Sequence, residues 1–327
     1  MKNDHQPIKL KYYIEYALLR LLRGILFAMP VDWASSLMGQ IWRCVGPFNA
    51  RHKRALRHME WALTDITSHK EREKIARAMW ENLGRTFCEG LIADRLRDDT
   101  ARFEVDQAAV EQWNRETQQG ALLVTHHFGN WELACAPVLH HTNQKVMGIY
   151  RRIKNPLVED FMIRLREPLF PGGLFSQQNG AARKTVSALK AGGIMAMVGD
   201  LRDNRGVKVS LFDMPASLST FPAILALKFD KPIYVAQTRR KKGAYFALDF
   251  ERIAKPDSGN FEKDCQLLTQ ALHTQFEKWI RANPEQWMWA PYRWSGRYDE
   301  TGKPQSWASY CATEGLAIAP PSEEALK

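Results

Sequence analysis

The spacing of apolar positions changes period along the chain, and the change divides it into regions. From Leu10 to about Arg97 apolar residues recur at three- and four-residue spacing, which predicts helices over Tyr12–Met29, Val31–Cys44, Arg51–Leu63 and Lys70–Leu96. Between Ala121 and Phe250 short apolar runs take over, at Ala121–Thr125, Lys145–Tyr150, Ile194–Gly199, Pro232–Gln237 and Tyr245–Phe250. Helical stretches at Pro156–Arg166, Ala181–Ala191 and Phe221–Phe229 separate them. Strands alternating with helices predict an α/β fold, a mainly parallel or mixed central sheet flanked by helices. Phe261–Ala282 reads as a further amphipathic helix, followed by a tryptophan-rich segment, Asn283–Trp294. The pattern gives one domain overall: an N-terminal helical membrane-associating region over residues 1–100, an α/β core over 101–317, and a disordered tail over 318–327. There is no internal repeat.

The helix Tyr12–Met29 is interrupted by Glu15, Arg20 and Arg23, so it lacks the roughly 20 apolar residues of a spanning helix. Those charges share one broad face while Leu18, Leu21, Leu22 and Ile25 cover the other. Two readings follow, a helix lying in a membrane interface and a helix packed on the domain's own core. The broken apolar stretch and the absence of a small-residue cleavage site at Met29-Pro30 argue against a cleaved signal peptide.

Charge narrows the partners. Across 327 residues, 46 Lys and Arg against 36 Asp and Glu leave a formal charge of +10, which attracts nucleic acid, anionic headgroups and acidic carrier proteins alike. No nucleic-acid motif with interleaved aromatics is present, so charge is the sole support for that class. The five cysteines are scattered, odd in number and without CxxC, which suggests neither a disulfide framework nor a zinc knuckle and fits a reducing compartment.

The stretch VTHHFGNWE, Val124–Glu132, carries the candidate chemistry. A strand ending at Thr125 and a turn through His127, Phe128 and Gly129 would bring Asn130 to the N-cap of a helix starting at Trp131. His127 and Glu132 would then meet beyond the carboxyl ends of the strands, where sites gather in open α/β sheets. A carboxylate fixes the tautomer of an imidazole and makes it a better general base toward an alcohol. The motif offers no seryl, threonyl or cysteinyl nucleophile, which suits direct attack of a hydroxyl on an acyl thioester. The plain alternative is a helix-capping pair without catalytic role. Cys135 lies in apolar surroundings and reads as an inert thiol.

HHFGNWE, together with IYRRIKNPLVEDF, GDLRDNRGVKVSLFDMPASLSTFPAILAL and NPEQWMWAPYRW, resembles the bacterial lipid A biosynthesis acyltransferases, the late lauroyl/myristoyl transferases of lipopolysaccharide assembly. YYIEYALLRLLRGILFAMP and IARAMWENLGRTFCEGL are similar to that family's N-terminal helices, so the resemblance covers most of the chain. It implies a glycerol-phosphate-acyltransferase-like fold and a membrane-associated enzyme at the cytoplasmic face of the inner membrane. That enzyme would move a fatty acyl chain from acyl carrier protein or coenzyme A to a hydroxyl of a glycolipid precursor, with no cofactor and no metal. The family's HxxxxD/E dyad falls on His127 and Glu132. Its Tyr-Arg before Asn-Pro falls on Tyr150-Arg151, and its Gly/Pro-Asp block on Gly199-Asp200, so Arg151, Asp200 and Asn130 are the candidate substrate-binding residues. Arg151 reads either as a donor to a phosphate or developing oxyanion, or as a surface salt bridge. The chain departs from the family at residues 177–180, where many members carry an arginine, and at Pro291-Tyr292, where they carry a basic pair.

Several features stay open between two readings. The clusters Arg151-Arg152-Ile153-Lys154 and Arg239-Arg240-Lys241-Lys242, and the face Arg51, Lys53, Arg54 and Arg57, are candidate contacts to acidic carrier, lipid phosphate or membrane, or solvated surface. Trp287, Trp289, Trp294 and Tyr292 read as core packing or as an acyl channel. A rival function is a metal-dependent hydrolase built on His126, His127, Glu132, His140 and His141, although these lack the spacing of helical zinc ligands. A related transferase with a different lipid acceptor is the nearer alternative.

Overall fold

A computed structural model of the chain describes residues 8–142, 145–176, 180–294, 298–300 and 302–315. The tail beyond Ala317 and the departure at Gln177 to Asn179 lie outside them. The helical first quarter comprises α1 (Leu10–Ala28), α2 (Val31–Val45), α3 (Ala50–Ala62) and α4 (His69–Leu91). Met29 is extended (ψ 156°), as a residue before proline must be, and this separates α1 from α2. The side chains of Asn49 and Ser68 cap α3 and α4 by accepting the backbone N–H of Arg51 and Glu71. The predicted helix to Leu96 is shorter: α4 stops at Leu91 and only a 3-10 turn, Ala93–Arg95, continues it.

There follow β1 (Phe103–Val105), α5 (Gln107–Glu116), β2 (Ala121–Gly129), α6 (Ala136–His141), β3 (Val146–Tyr150), α7 (Pro156–Arg166), β4 (Gly173–Ser176), α8 (Ala181–Lys190) and β5 (Ile194–Val198). Next come β6 (Arg202–Leu211), β7 (Met214–Leu218), α9 (Phe221–Lys228), β8 (Ile233–Lys242), β9 (Tyr245–Ile253), α10 (Phe261–Ala282) and α11 (Trp307–Glu314). Seven strands form one sheet in the order β1-β9-β8-β2-β5-β3-β4, parallel except for the β8–β9 hairpin. This is the expected α/β architecture. The antiparallel pair β6–β7 forms a second sheet.

The central strands are apolar on both faces because both are covered. Leu122, Val124 and Phe128 of β2 join one core with α9, α10 and the tryptophan segment, whereas Ala121 and Leu123 join another beneath α1, α2 and β9. The tryptophan segment resolves as core packing: Trp287, Trp289 and Trp294 are buried, and Tyr292 alone of the four is exposed.

Strand β2 runs four residues past its expected end, so His127, Phe128 and Gly129 belong to the strand rather than to a turn. After a register shift, Gly129 pairs with Thr238 of β8, and Asn130 N–H donates to the Thr238 carbonyl at 2.9 Å. The approach is so close that a Cβ on Gly129, whose φ is +53°, would lie 1.8 Å from that oxygen, which only glycine permits. Trp131–Leu133 is a 3-10 turn, capped by Asn130 as expected, rather than the start of a longer helix.

Candidate active site

The register of the sheet builds the site. Thr125 of β2 pairs in parallel with Val198 of β5, so two residues further on His127 and Asp200 stand side by side at the carboxyl edge. Asp200 Oδ1 lies 2.6 Å from His127 Nδ1, and Asp200 Oδ2 accepts the His127 backbone N–H at 3.2 Å. The His127 imidazole is partly open to the cleft while Asp200 is buried. Burial alone would raise the Asp200 carboxyl, but the charges of His127 and Arg293 and the hydrogen bond from His127 outweigh it and hold it well below the ordinary carboxylate value. A carboxylate held ionised against Nδ1 leaves Nε2 as the basic nitrogen. The Trp131 ring meets the imidazole edge to face at 5.2 Å.

Glu132 is placed differently from expectation. Its carboxylate is gripped by Arg166, at the end of α7, through two bonds of 2.8 and 2.7 Å, and the partner of His127 is Asp200. Both His127 and Glu132 line one cleft, so the motif does bring them to a common site. The reason they do not pair is geometric: because β2 continues to Gly129, Glu132 follows a 3-10 turn that directs it toward α7.

Asn130 is fully committed inside the protein. Its Oδ1 caps Leu133 N–H and its Nδ2 donates to Glu89, so it shapes the turn instead of reaching the cleft. Glu89, wholly buried, is clamped by both terminal nitrogens of Arg240 and also accepts from Ser35. Asn82 and Thr86 of α4 donate to the Gly129 carbonyl. Three of the four basic residues ending β8 are paired, Arg239 with Asp249, Arg240 with the buried Glu89 and Lys241 with Glu104, while Lys242 is exposed. Arg151 is exposed, lines the cleft, and makes no ion pair among the described residues.

His126 points the opposite way from His127. It is buried, stacks on Phe128 and Phe276 at 5.0 and 4.3 Å, and burial pushes it down to about 3. Cys135 is likewise sealed, and burial pushes its thiol up to about 12. Among the described residues no group of three or more His, Cys, Asp or Glu is arranged to hold a metal, and His126, His127, Glu132, His140 and His141 are not gathered into one.

The cleft beside His127 measures about 550 Å³. Through shared walls at Trp131, Glu132, Arg151, Arg166 and Leu201 it adjoins a more apolar cleft of about 680 Å³ that reaches Trp42, Leu83 and Phe87 of the N-terminal helices.

Three neighbours of the candidate site residues are not legible in the sequence. Arg166 closes the predicted helix Pro156–Arg166, but nothing in its spacing points to Glu132. Arg293 and Trp287 both reach Asp200, at 2.8 and 2.9 Å; the NPEQWMWAPYRW block signalled their segment but not their target. That segment is drawn in by pairing of Phe128 with Trp287 and by Met288 N–H donating to the His127 carbonyl at 2.9 Å.

Comparison with curated proteins returns no match. The family model for bacterial lipid A biosynthesis acyltransferases matches residues 1–295, and the chain belongs to that family and is an acyltransferase.

Proposed function

We propose that the protein transfers a fatty acyl chain from an acyl thioester, carried by acyl carrier protein or coenzyme A, to a hydroxyl of a lipid A precursor or related glycolipid. The observation that carries this reading is the His127–Asp200 pair at 2.6 Å, facing a cleft that runs into an apolar one. His127 Nε2 takes the hydroxyl proton as the alcohol oxygen attacks the thioester carbonyl. The tetrahedral intermediate collapses, the C–S bond breaks, and the proton on His127 passes to the departing thiolate. No acyl-enzyme is needed.

In this reading Asp200 orients the imidazole and balances the charge it acquires. Glu132 and Arg166 form the wall where acceptor and thioester meet, and Arg151 neutralises a phosphate or the developing oxyanion. The apolar cleft takes the acyl tail.

The same reading places the chain on a membrane. The inward side of α1 carries its polar contacts: Glu15 accepts from Asn155, and Arg23 bonds Asp94 and the Leu91 carbonyl. Its outward ridge is apolar, with Leu18, Leu21 and Ile25 exposed, and Trp33, Leu37 and Ile41 extend it along α2. On the inward side Leu19, Leu22 and Leu26 pack against the domain's own core. Among the described residues no helix is long and apolar enough to cross a membrane, and an exposed apolar ridge beside the basic helix α3 suits the interface of an anionic bilayer. The cytoplasmic face of the inner membrane is the location this donor chemistry requires.

Mass spectrometry of membrane lipids from a strain lacking the protein tests the whole reading. The expected result is a lipid A species short of one acyl chain, restored by the wild-type gene and not by His127→Ala. An unchanged lipid profile overturns it.

A further inference from the structure

The guanidinium of Arg293 is 1% exposed, an unusual place for a charge that no solvent reaches. Two of its three nitrogens address Asp200, and the third ties down its own segment. Nη2 donates to Asp200 Oδ2 at 2.8 Å and Nε to the Asp200 carbonyl at 2.9 Å, while Nη1 donates to the carbonyls of Met288 and Pro291. The plane of the group lies over the Trp287 ring, 4.1 Å from its centroid, and Trp287 Nε1 donates to the same Oδ2 at 2.9 Å. Asp200 Oδ2 thus accepts from Arg293, Trp287 and the His127 backbone, and Oδ1 alone is left for the His127 ring.

We propose that Arg293, assisted by Trp287, is a positioning residue for acyl transfer: it saturates one oxygen of Asp200 and locks the carboxylate so that the other addresses His127 Nδ1. This inference rests on the His127–Asp200 reading. A fork with two donors on one aspartate fixes both the side chain and its backbone, which a lysine's point charge does not do. A buried counter-ion that merely balanced Asp200 would need neither the backbone bond nor the tryptophan N–H on the same oxygen.

Arg293→Lys, Arg293→Gln and Trp287→Phe, purified and assayed with an acyl thioester donor and glycolipid acceptor, test it. Arg293→Lys keeps the charge and loses the fork, so kcat is expected to fall about tenfold to a hundredfold with KM nearly unchanged. Arg293→Gln removes a cation beside the pair, which favours the imidazolium. The acid limb of the pH–rate profile is then expected to move up by about half to one pH unit. Trp287→Phe moves it in the same direction by less and carries the test if Arg293→Gln does not fold. Wild-type rates and pH profiles for Arg293→Lys and Trp287→Phe overturn the inference, as does a rate loss that only follows falling Tm with the profile unmoved. Asp200→Asn and His127→Ala run alongside separate the two ideas: activity surviving in these sinks the catalytic pair itself, whereas their inactivity beside unaffected Arg293 variants sinks only the positioning role.

Discussion

Asp200 Oδ1 stands 2.6 Å from His127 Nδ1, although 73 residues separate the two in the chain. The contact depends on β2 and β5 being neighbours in register, and it sets the first expectation. Asp200→Asn keeps the shape but presents an amide N–H or a weak acceptor to Nδ1, which disturbs the tautomer and removes the balancing charge. A fall in kcat of about 10³- to 10⁴-fold is expected by analogy with other His-carboxylate pairs, with circular dichroism unchanged. His127→Ala should be inactive. Asp200→Asn with near-normal turnover would falsify the assignment of its partner.

Glu132 and Arg166 hold each other through two bonds, so their contributions should not add. Glu132→Gln and Arg166→Gln are each expected to reduce kcat/KM, and the double variant to be little worse than the poorer single one, because each alone strands the other's charge in the cleft wall. A double-mutant cycle on steady-state rates reads this directly. Strict additivity would show that Glu132 acts on the reaction independently of Arg166.

Acid should destabilise the fold from near neutrality downward. Burial pushes His126 down to about 3, and burial together with the Arg293, Arg54 and Arg57 charges outweighs the Trp289 carbonyl to bring His58 to about 4. Both are neutral in the folded protein while the unfolded chain takes up protons near their ordinary value of 6.5. The unfolded state therefore binds more protons between about pH 6.5 and 4, and stability declines through that window by at most about 1.4 kcal/mol per pH unit for each histidine. Asp200, lowered by its partners, adds stability above its ordinary 3.8 that is lost as pH falls further. Thermal unfolding from pH 8 to 4.5 is expected to show a falling Tm, and His126→Leu, which removes a ring with both nitrogens unpartnered, to flatten the curve. A pH-independent Tm across that range contradicts it.

How much of this was legible in the sequence follows from the range of the interactions. Pro156–Arg166 and Phe261–Ala282 were bounded correctly because Asn155-Pro156 and Asn260 are local start signals. The central strands were found because apolar runs identify a doubly covered sheet. β1 and β4, of three and four residues, are too short to show a period, and β6, with Arg202, Asp203, Asn204 and Arg205 at its start, does not look like a strand. Within the site, Glu132 was legible because it is five residues from His127. Its proximity also misled, since the carboxylate that bonds the imidazole is chosen by strand order, which no local pattern encodes.

The buried clamp of Glu89 by Arg240 joins α4 to β8 behind the site, and removing one member should be costly. Glu89→Ala leaves the Arg240 charge buried without its counter-ion and frees the Asn130 amide, so a loss of about 3–5 kcal/mol is expected. Denaturant unfolding measures it. A loss within the range of a surface substitution would mean that water or another carboxylate replaces Glu89.

The outward ridge of α1 and α2 makes the opposite kind of prediction, since in the proposed function these residues serve membrane binding rather than folding. Leu18, Leu21 and Trp33 are 61%, 63% and 70% exposed, so replacing them should move stability by no more than about 0.5 kcal/mol. Inserting a leucine into the apolar boundary of a bilayer is worth about 1.5–3 kcal/mol, and an aspartate there forfeits it and adds repulsion from anionic headgroups. Leu18→Asp combined with Leu21→Asp is expected to weaken binding to vesicles of mixed zwitterionic and anionic phospholipid by about 10²- to 10⁴-fold, with Tm unchanged. Activity on a water-soluble short-chain thioester should survive, because His127 and Asp200 lie at the carboxyl edge of the sheet and not on these helices. Retained vesicle binding by the double variant would show that the ridge is not the membrane-facing surface.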